Sequence, residues 1–147
     1  TVVLEWTNHD CPFVIKHYDS GNIPGLQKTA AAKDVVWLQV ISSAPGTQGH
    51  VDGATALKLN AARGAAPAGV VLDPDGRIGK SYGAQTTPHL YIVDATGTLV
   101  YKGGSTASPP TSRQTLPERK TTSVRRWLSC RLASGSARLA LSPTAAR

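Results

Sequence analysis

The order of strand-like and helix-like runs is what most limits the fold of this chain. Residues 2–6, "VVLEW", are short, β-branched and followed by polar turn residues, the pattern of a buried strand. Next comes a helical stretch in which Phe13, Val14, His17 and Tyr18 form an apolar stripe, with Asp10 as its N-cap and Pro12 in its first turn. "DSGNIPG" (19–25) is expected to interrupt that helix and "LQKTAAAKD" (26–34) to resume it. "VVWLQVISS" (35–43) is apolar almost throughout, as a strand covered on both faces must be. A loop then leads to a helix over 54–64, capped by Asp52 or a neighbour and stopped by Gly64. "GVVLD" (69–73) is a third strand closed by the turn "DPDG". After the short segment "IGKSYGA", "TTPHLYIVD" (86–94) and "TLVYKG" (98–103) are two strands whose short connection makes them a hairpin. Strands separated by helices pair in parallel and strands joined by a tight turn pair antiparallel. The expected class is therefore α/β with a mixed sheet.

Charge divides the chain differently. The net charge is +7, yet residues 1–102 hold eight basic and eight acidic side chains, so the whole excess lies in 103–147. There the sequence turns rich in Ser, Thr, Pro and Arg and loses amphipathic periodicity, apart from an indifferent helical run "VRRWLSCRLA". The reading is a folded domain over 1–104 and a basic, disordered or non-native tail over 105–147. No nucleic-acid-binding module accompanies the charge, so no specific nucleic-acid partner is expected. A tail that binds polyanions would lose that binding when 105–147 are deleted. No apolar run approaches the roughly 20 residues of a membrane span. The opening residues show no charged leader pattern and say nothing of compartment.

Two cysteines, Cys11 and Cys130, are too few for a disulfide framework. Cys11 follows a strand and precedes Pro12 at a helix start, where free backbone N–H groups and the helix dipole favour a thiolate. Lys16 and His17, one to two turns on, would add positive charge, and Asp10 would oppose them. The bland alternative is a small buried hydrophobe. His9, Cys11 and His89 together form a conceivable soft-metal set, imidazole with thiolate suiting Cu(I) or Zn; otherwise His9 is a loop residue and His89 a strand residue. Trp6, Trp37 and Tyr91 lie in strand patterns and are assigned to the core. The two D-x-x-G runs, 73–76 and 94–97, lack the ligand spacing of a calcium loop and are turns.

Three features in order, "VVLEWTNHDCPF", "LDPDGRIGKSYGAQTTPHLYIVDATGTLVYKG" and the "TTP" within it, give residues 2–104 a resemblance to the thioredoxin-like superfamily. The resembled branch is the redoxins, the alkyl hydroperoxide reductase and thiol-specific antioxidant group. The resemblance implies a thioredoxin-like fold, a mixed central sheet flanked by helices, without the N-terminal hairpin usual in that branch. It implies a site made of Cys11 as nucleophile with Pro12 behind it, and Thr87 before a cis Pro88 facing it. It further implies a bacterial, periplasmic or exported antioxidant protein without a cofactor. Two positions depart from the pattern. Val14 stands where a C-x-x-C motif has its second cysteine, and Asn8 stands where peroxiredoxins carry a threonine, with Thr7 one place off. The tail departs as well. Read one base earlier with codons chosen freely, residues 105–147 permit an amphipathic helix resembling the branch's closing helix, so a frameshift near Gly103 or Gly104 is expected, and the coding DNA tests it.

Two functions stay open at this stage. One is a single-cysteine oxidoreductase that reduces peroxides or exchanges thiols and disulfides, resolved by an external thiol. The other is a catalytically weak thioredoxin-fold binding module for metal or an extended peptide.

Overall fold

A computed structural model describes residues 1–104 and Leu128. Five strands form one sheet in the order β3-β2-β1-β4-β5: β1 (Val2–Trp6), β2 (Val36–Ile41), β3 (Gly69–Leu72), β4 (His89–Val93) and β5 (Leu99–Gly103). β1 pairs parallel with β2, and β2 with β3; β4 runs antiparallel to both β1 and β5. The expected α/β class and mixed sheet are what the chain adopts. The crossover from β1 to β2 carries α1 (Pro12–Asp19) and α2 (Asn22–Ala31), that from β2 to β3 carries α3 (Gly53–Ala62), and α4 (Arg77–Tyr82) precedes β4.

Several local expectations shift. The N-cap of α1 is Cys11, not Asp10, and Pro12 takes the first helical position. Asp10 instead accepts the Gly49 N–H through Oδ2. Only Val14 and Tyr18 of the anticipated stripe turn inward, while Phe13 is 69% exposed. The break between α1 and α2 is narrower than "DSGNIPG" suggests. Gly21 sits at φ 69 as the N-cap of α2, and Pro24 is absorbed in that helix's first turn, where a backbone N–H has no helical acceptor to lose. Asp52 caps α3 as expected, accepting the Thr55 N–H at 2.7 Å.

Period-two alternation assigns the sheet its two faces. Val3, Trp37, Leu90 and Ile92 pack with Val14 and Tyr18 of α1 and Ile23, Leu26 and Ala30 of α2. On the other face Trp6, Val40 and Tyr91 form a second cluster with Ile78 of α4 and Ala84. Trp6, Trp37 and Tyr91 are thus core residues, at 3%, 1% and 0% exposure. The tail proposed for 105–147 lies outside the described residues, as does the frameshift reading, with the exception of Leu128. That side chain is buried in the first cluster, and its carbonyl accepts from Lys33 Nζ.

Candidate functional site

β1 is the central strand, and its carboxyl end delivers the chain to Cys11 at the start of α1. In open α/β sheets this end of the strands is where ligands are met. The Thr87–Pro88 peptide is cis and lies across from it: Cys11 Sγ donates to the Thr87 carbonyl at 3.3 Å. The sulfur is half-buried. Burial pushes its pKa up, but hydrogen bonds from the Thr87 side chain and from the backbone N–H groups of Val14 and Phe13 outweigh it and leave the thiol below its ordinary value. Those N–H groups are among the orphan donors of a helix start, which is why a sulfur at this position is acidified.

The surrounding charges do not act as expected. Lys16 and His17 are in the last turn of α1, and neither contributes to the lowering at Cys11. Burial and the adjacent Lys16 hold His17 below the ordinary imidazole value, and its Nδ1 meets Asn22 Nδ2 at 3.0 Å. Asn8 braces the loop rather than the sulfur. Its Oδ1 accepts the Asp10 N–H, its Nδ2 donates to the Gln48 carbonyl, and its main-chain carbonyl accepts the Cys11 N–H. Gly49 is required beside it, since a Cβ there would fall 2.3 Å from the Asn8 side chain and φ is +81. Thr7 is buried, and its hydroxyl has no hydrogen-bond partner among the described residues. Pro12 is exposed and fixes the first turn of α1.

The conceivable metal set does not assemble. His9 Nε2 is held by Asp10 Oδ1 at 3.2 Å. His89 precedes Leu90, which belongs to the cluster Cys11 packs against, so alternation turns His89 to the opposite face, where its Nδ1 meets the Tyr91 hydroxyl at 3.2 Å. Among the described residues no group of three His, Cys, Asp or Glu side chains is placed to hold a metal ion.

Sequence reasoning missed a buried polar network under α1. Glu5, 0% exposed on the central strand, accepts from Tyr18 Oη at 2.7 Å, Trp37 Nε1 at 2.8 Å and Gln27 Nε2 at 3.2 Å. Gln39 Nε2 donates to Tyr18 Oη, Asn60 Nδ2 to Gln39 Oε1, and Arg63 to Asn60 Oδ1 while its guanidinium lies 3.9 Å over the Tyr18 ring. Burial pushes the Glu5 carboxyl up against the lowering effect of its three donors and Arg63. The available signal was an acid inside an apolar strand run, with Gln39 at the same kind of position in the next strand.

A second polar chain runs on the other face. Trp6 Nε1 donates to Ser42 Oγ at 3.1 Å, and Ser42 Oγ donates to Asp73 Oδ2 at 2.6 Å. Asp73 also accepts the Ile78 and Gly79 N–H groups. Next to this chain, a cavity of about 220 Å³ opens between Trp6, Gly79 and the loop that leads into Pro88.

No protein-family model matches the chain, and no curated protein matches it. Among solved structures it is similar to an uncharacterized conserved protein from Geobacillus kaustophilus, at 22% identity and a TM-score of 0.64 over 78% of this chain and 59% of that one. It is also similar to a secreted Mycobacterium tuberculosis disulfide oxidoreductase homologous to E. coli DsbE (20% identity, TM-score 0.52, 78% and 72% of the two chains). A thioredoxin-like protein from Aeropyrum pernix matches at 16% identity and a TM-score of 0.56 over 72% and 70%. The fold is therefore thioredoxin-like, and the chain spans about three fifths of the length of the Geobacillus protein.

Proposed function

We propose that this chain is a thioredoxin-fold thiol–disulfide oxidoreductase working through one nucleophilic cysteine, Cys11. The observation that carries the reading is the placement of Cys11 Sγ at the start of α1, hydrogen-bonded to Thr87 beside a cis proline, with its pKa lowered by the Thr87 side chain and two helix-start N–H groups against the opposing effect of burial. The thiolate attacks one sulfur of a substrate disulfide; a new S–S bond forms, the old one breaks, and the departing thiolate takes a proton from solvent. Because Val14 occupies the place of a second active-site cysteine, an external thiol completes the cycle. It attacks the mixed disulfide and releases the Cys11 thiolate, leaving one disulfide exchanged for another.

Peroxide reduction is the second reading, favoured by the lowered pKa of the Cys11 thiol, since the thiolate is the form that attacks an O–O bond. Here the thiolate takes one oxygen to become a sulfenic acid and the other oxygen leaves as an alcohol or water. One external thiol then condenses with the sulfenic acid, releasing water, and a second frees Cys11. An exported location fits both readings, and the Mycobacterium neighbour is itself secreted.

The test is the alkylation rate of Cys11 against pH in a Cys130→Ala background, followed by exchange with a small aromatic disulfide and by peroxide consumption. A midpoint below the free-cysteine value of about 8.5 is expected, with exchange abolished in Cys11→Ser. A midpoint at or above it would make Cys11 a packing residue and the fold a peptide-binding module.

A further inference from the structure

We propose that the cavity beside the cis-proline loop is a side-chain subsite, taking the small, uncharged residue that immediately flanks the reacting cysteine of an extended peptide or protein disulfide. The proposal rests on the thiol-exchange reading and adds what selects the substrate. Among the described residues, the N–H groups of Gln85, Thr86 and Thr87 and the carbonyls of Gln85 and Thr86 have no hydrogen-bond partner. Such a segment is an open edge on which an extended chain adds as a strand. Thr87 borders both sides of that edge: its carbonyl meets Cys11 Sγ, and it lines the cavity.

The two sides belong to opposite faces of the sheet. Cys11 packs against the cluster containing Leu90 and Val14, whereas Trp6 and Ala84, which wall the cavity, belong to the cluster on the other face. Side chains of an extended peptide alternate between faces. A substrate cysteine directed at Cys11 therefore sends both of its neighbours toward the cavity side, and the subsite receives one of them.

The lining sets what enters. About 220 Å³ between Trp6, Ser42, Gly79, Ala84 and the 85–87 segment has apolar walls, hydroxyls and the Gln85 amide but no ionisable side chain. The nearest carboxylate, Asp73, is spent on Ser42 and two backbone N–H groups. A carboxylate entering would meet that negative charge without a cation, and an ammonium would find no free carboxylate, only neutral oxygen acceptors, in exchange for its water. Ala, Val or Thr fits the space and its mixed polarity. Gly79 keeps the cavity open, because a Cβ there would lie 3.0 Å from Ser42 Oγ and 3.4 Å from Trp6 Nε1.

The experiment uses the full chain with Cys130→Ala and single-cysteine peptides activated as thionitrobenzoate disulfides. The residues before and after the cysteine are varied among Ala, Val, Thr, Asp, Lys and Trp. The rate of forming the Cys11–peptide disulfide is expected to be at least about 10-fold higher for the small neutral residues at one flanking position. In Gly79→Ala and, from the other wall, Ala84→Val, that ratio should fall toward one, and the small aromatic disulfide reagent checks that Cys11 still reacts. Equal rates at both flanking positions, or a ratio that persists in both filled variants, overturns the subsite while leaving the exchange reading intact. A wild-type chain that fails to react with the small reagent overturns the exchange reading and the subsite with it.

Discussion

At Cys11, burial and the Sγ–H donated to the Thr87 carbonyl favour the neutral thiol, while the Thr87 side chain and the Val14 and Phe13 N–H groups favour the thiolate and prevail. Charge plays no part, since Lys16 and His17 point their effects elsewhere. It follows that Thr87→Val should move the alkylation midpoint of Cys11 upward, whereas Lys16→Ala should leave it in place; a shift with Lys16→Ala alone would refute this account. Glu5 presents the inverse case. Its carboxyl is raised in the folded state, mainly by burial, so the folded chain holds the proton more tightly than the unfolded one. That stability is fully present below the unfolded carboxylate value of about 4.3 and is lost as pH rises through the folded value. Glu5→Gln, neutral at every pH, should therefore show a smaller loss of stability than wild type between pH 5 and 8 in denaturant titrations. Parallel curves for the two proteins would mean that Glu5 is ionised and fully matched by its donors and Arg63.

Among the elements, α4 depends most on a single side chain. It is six residues long and its N-cap is Gly76, which has no side chain to cap with, so the Ile78 and Gly79 N–H groups are satisfied by Asp73 from the preceding turn. The same carboxylate holds Ser42, and Ser42 holds the Trp6 indole. Removing it leaves several donors without acceptors. Asp73→Ala should cost about 2 kcal/mol of stability, read as a lower denaturation midpoint with an unchanged slope. Loss below a few tenths of that would mean water replaces the carboxylate fully. Because Ser42 and Gly79 also wall the cavity, the same substitution should blur discrimination between peptides more than it slows reaction with a small disulfide.

For the molecule as a whole, the core over α1 and α2 is completed by a residue far away in sequence. Leu128 is 1% exposed among Val3, Val14, Trp37, Leu90 and Ile92 of the cluster that also touches Cys11. A Leu128→Ala chain should be destabilised by about 2–5 kcal/mol, measured by urea denaturation, and an effect near zero would show that nothing in solution depends on that contact. The two edges of the sheet, β3 and β5, carry the partly exposed Leu72, Leu99 and Val100, so a chain weakened at Leu128 is also expected to associate as it unfolds.

Local chemistry alone determined the elements of this protein and their class. Apolar runs of strand length, Asp52 before a helical run, the Asp73–Gly76 turn and the short 94–98 connection each act within a few residues, so they were legible in the sequence. Cys11 at a helix start was legible for the same reason. Local pattern could not say what faces that sulfur: Thr87, 76 residues away, was reached only through the family resemblance. The tertiary structure alone decided that His89 turns from Cys11, because its neighbour Leu90 fills the core, and that Asn8 serves the 48–49 loop. The Glu5 network and the cavity at Trp6 likewise join residues from separate strands and helices. A one-dimensional pattern records which face a residue prefers, through its period, but not which distant side chain will meet it there; that is set by strand order and register, which packing of the whole sheet selects.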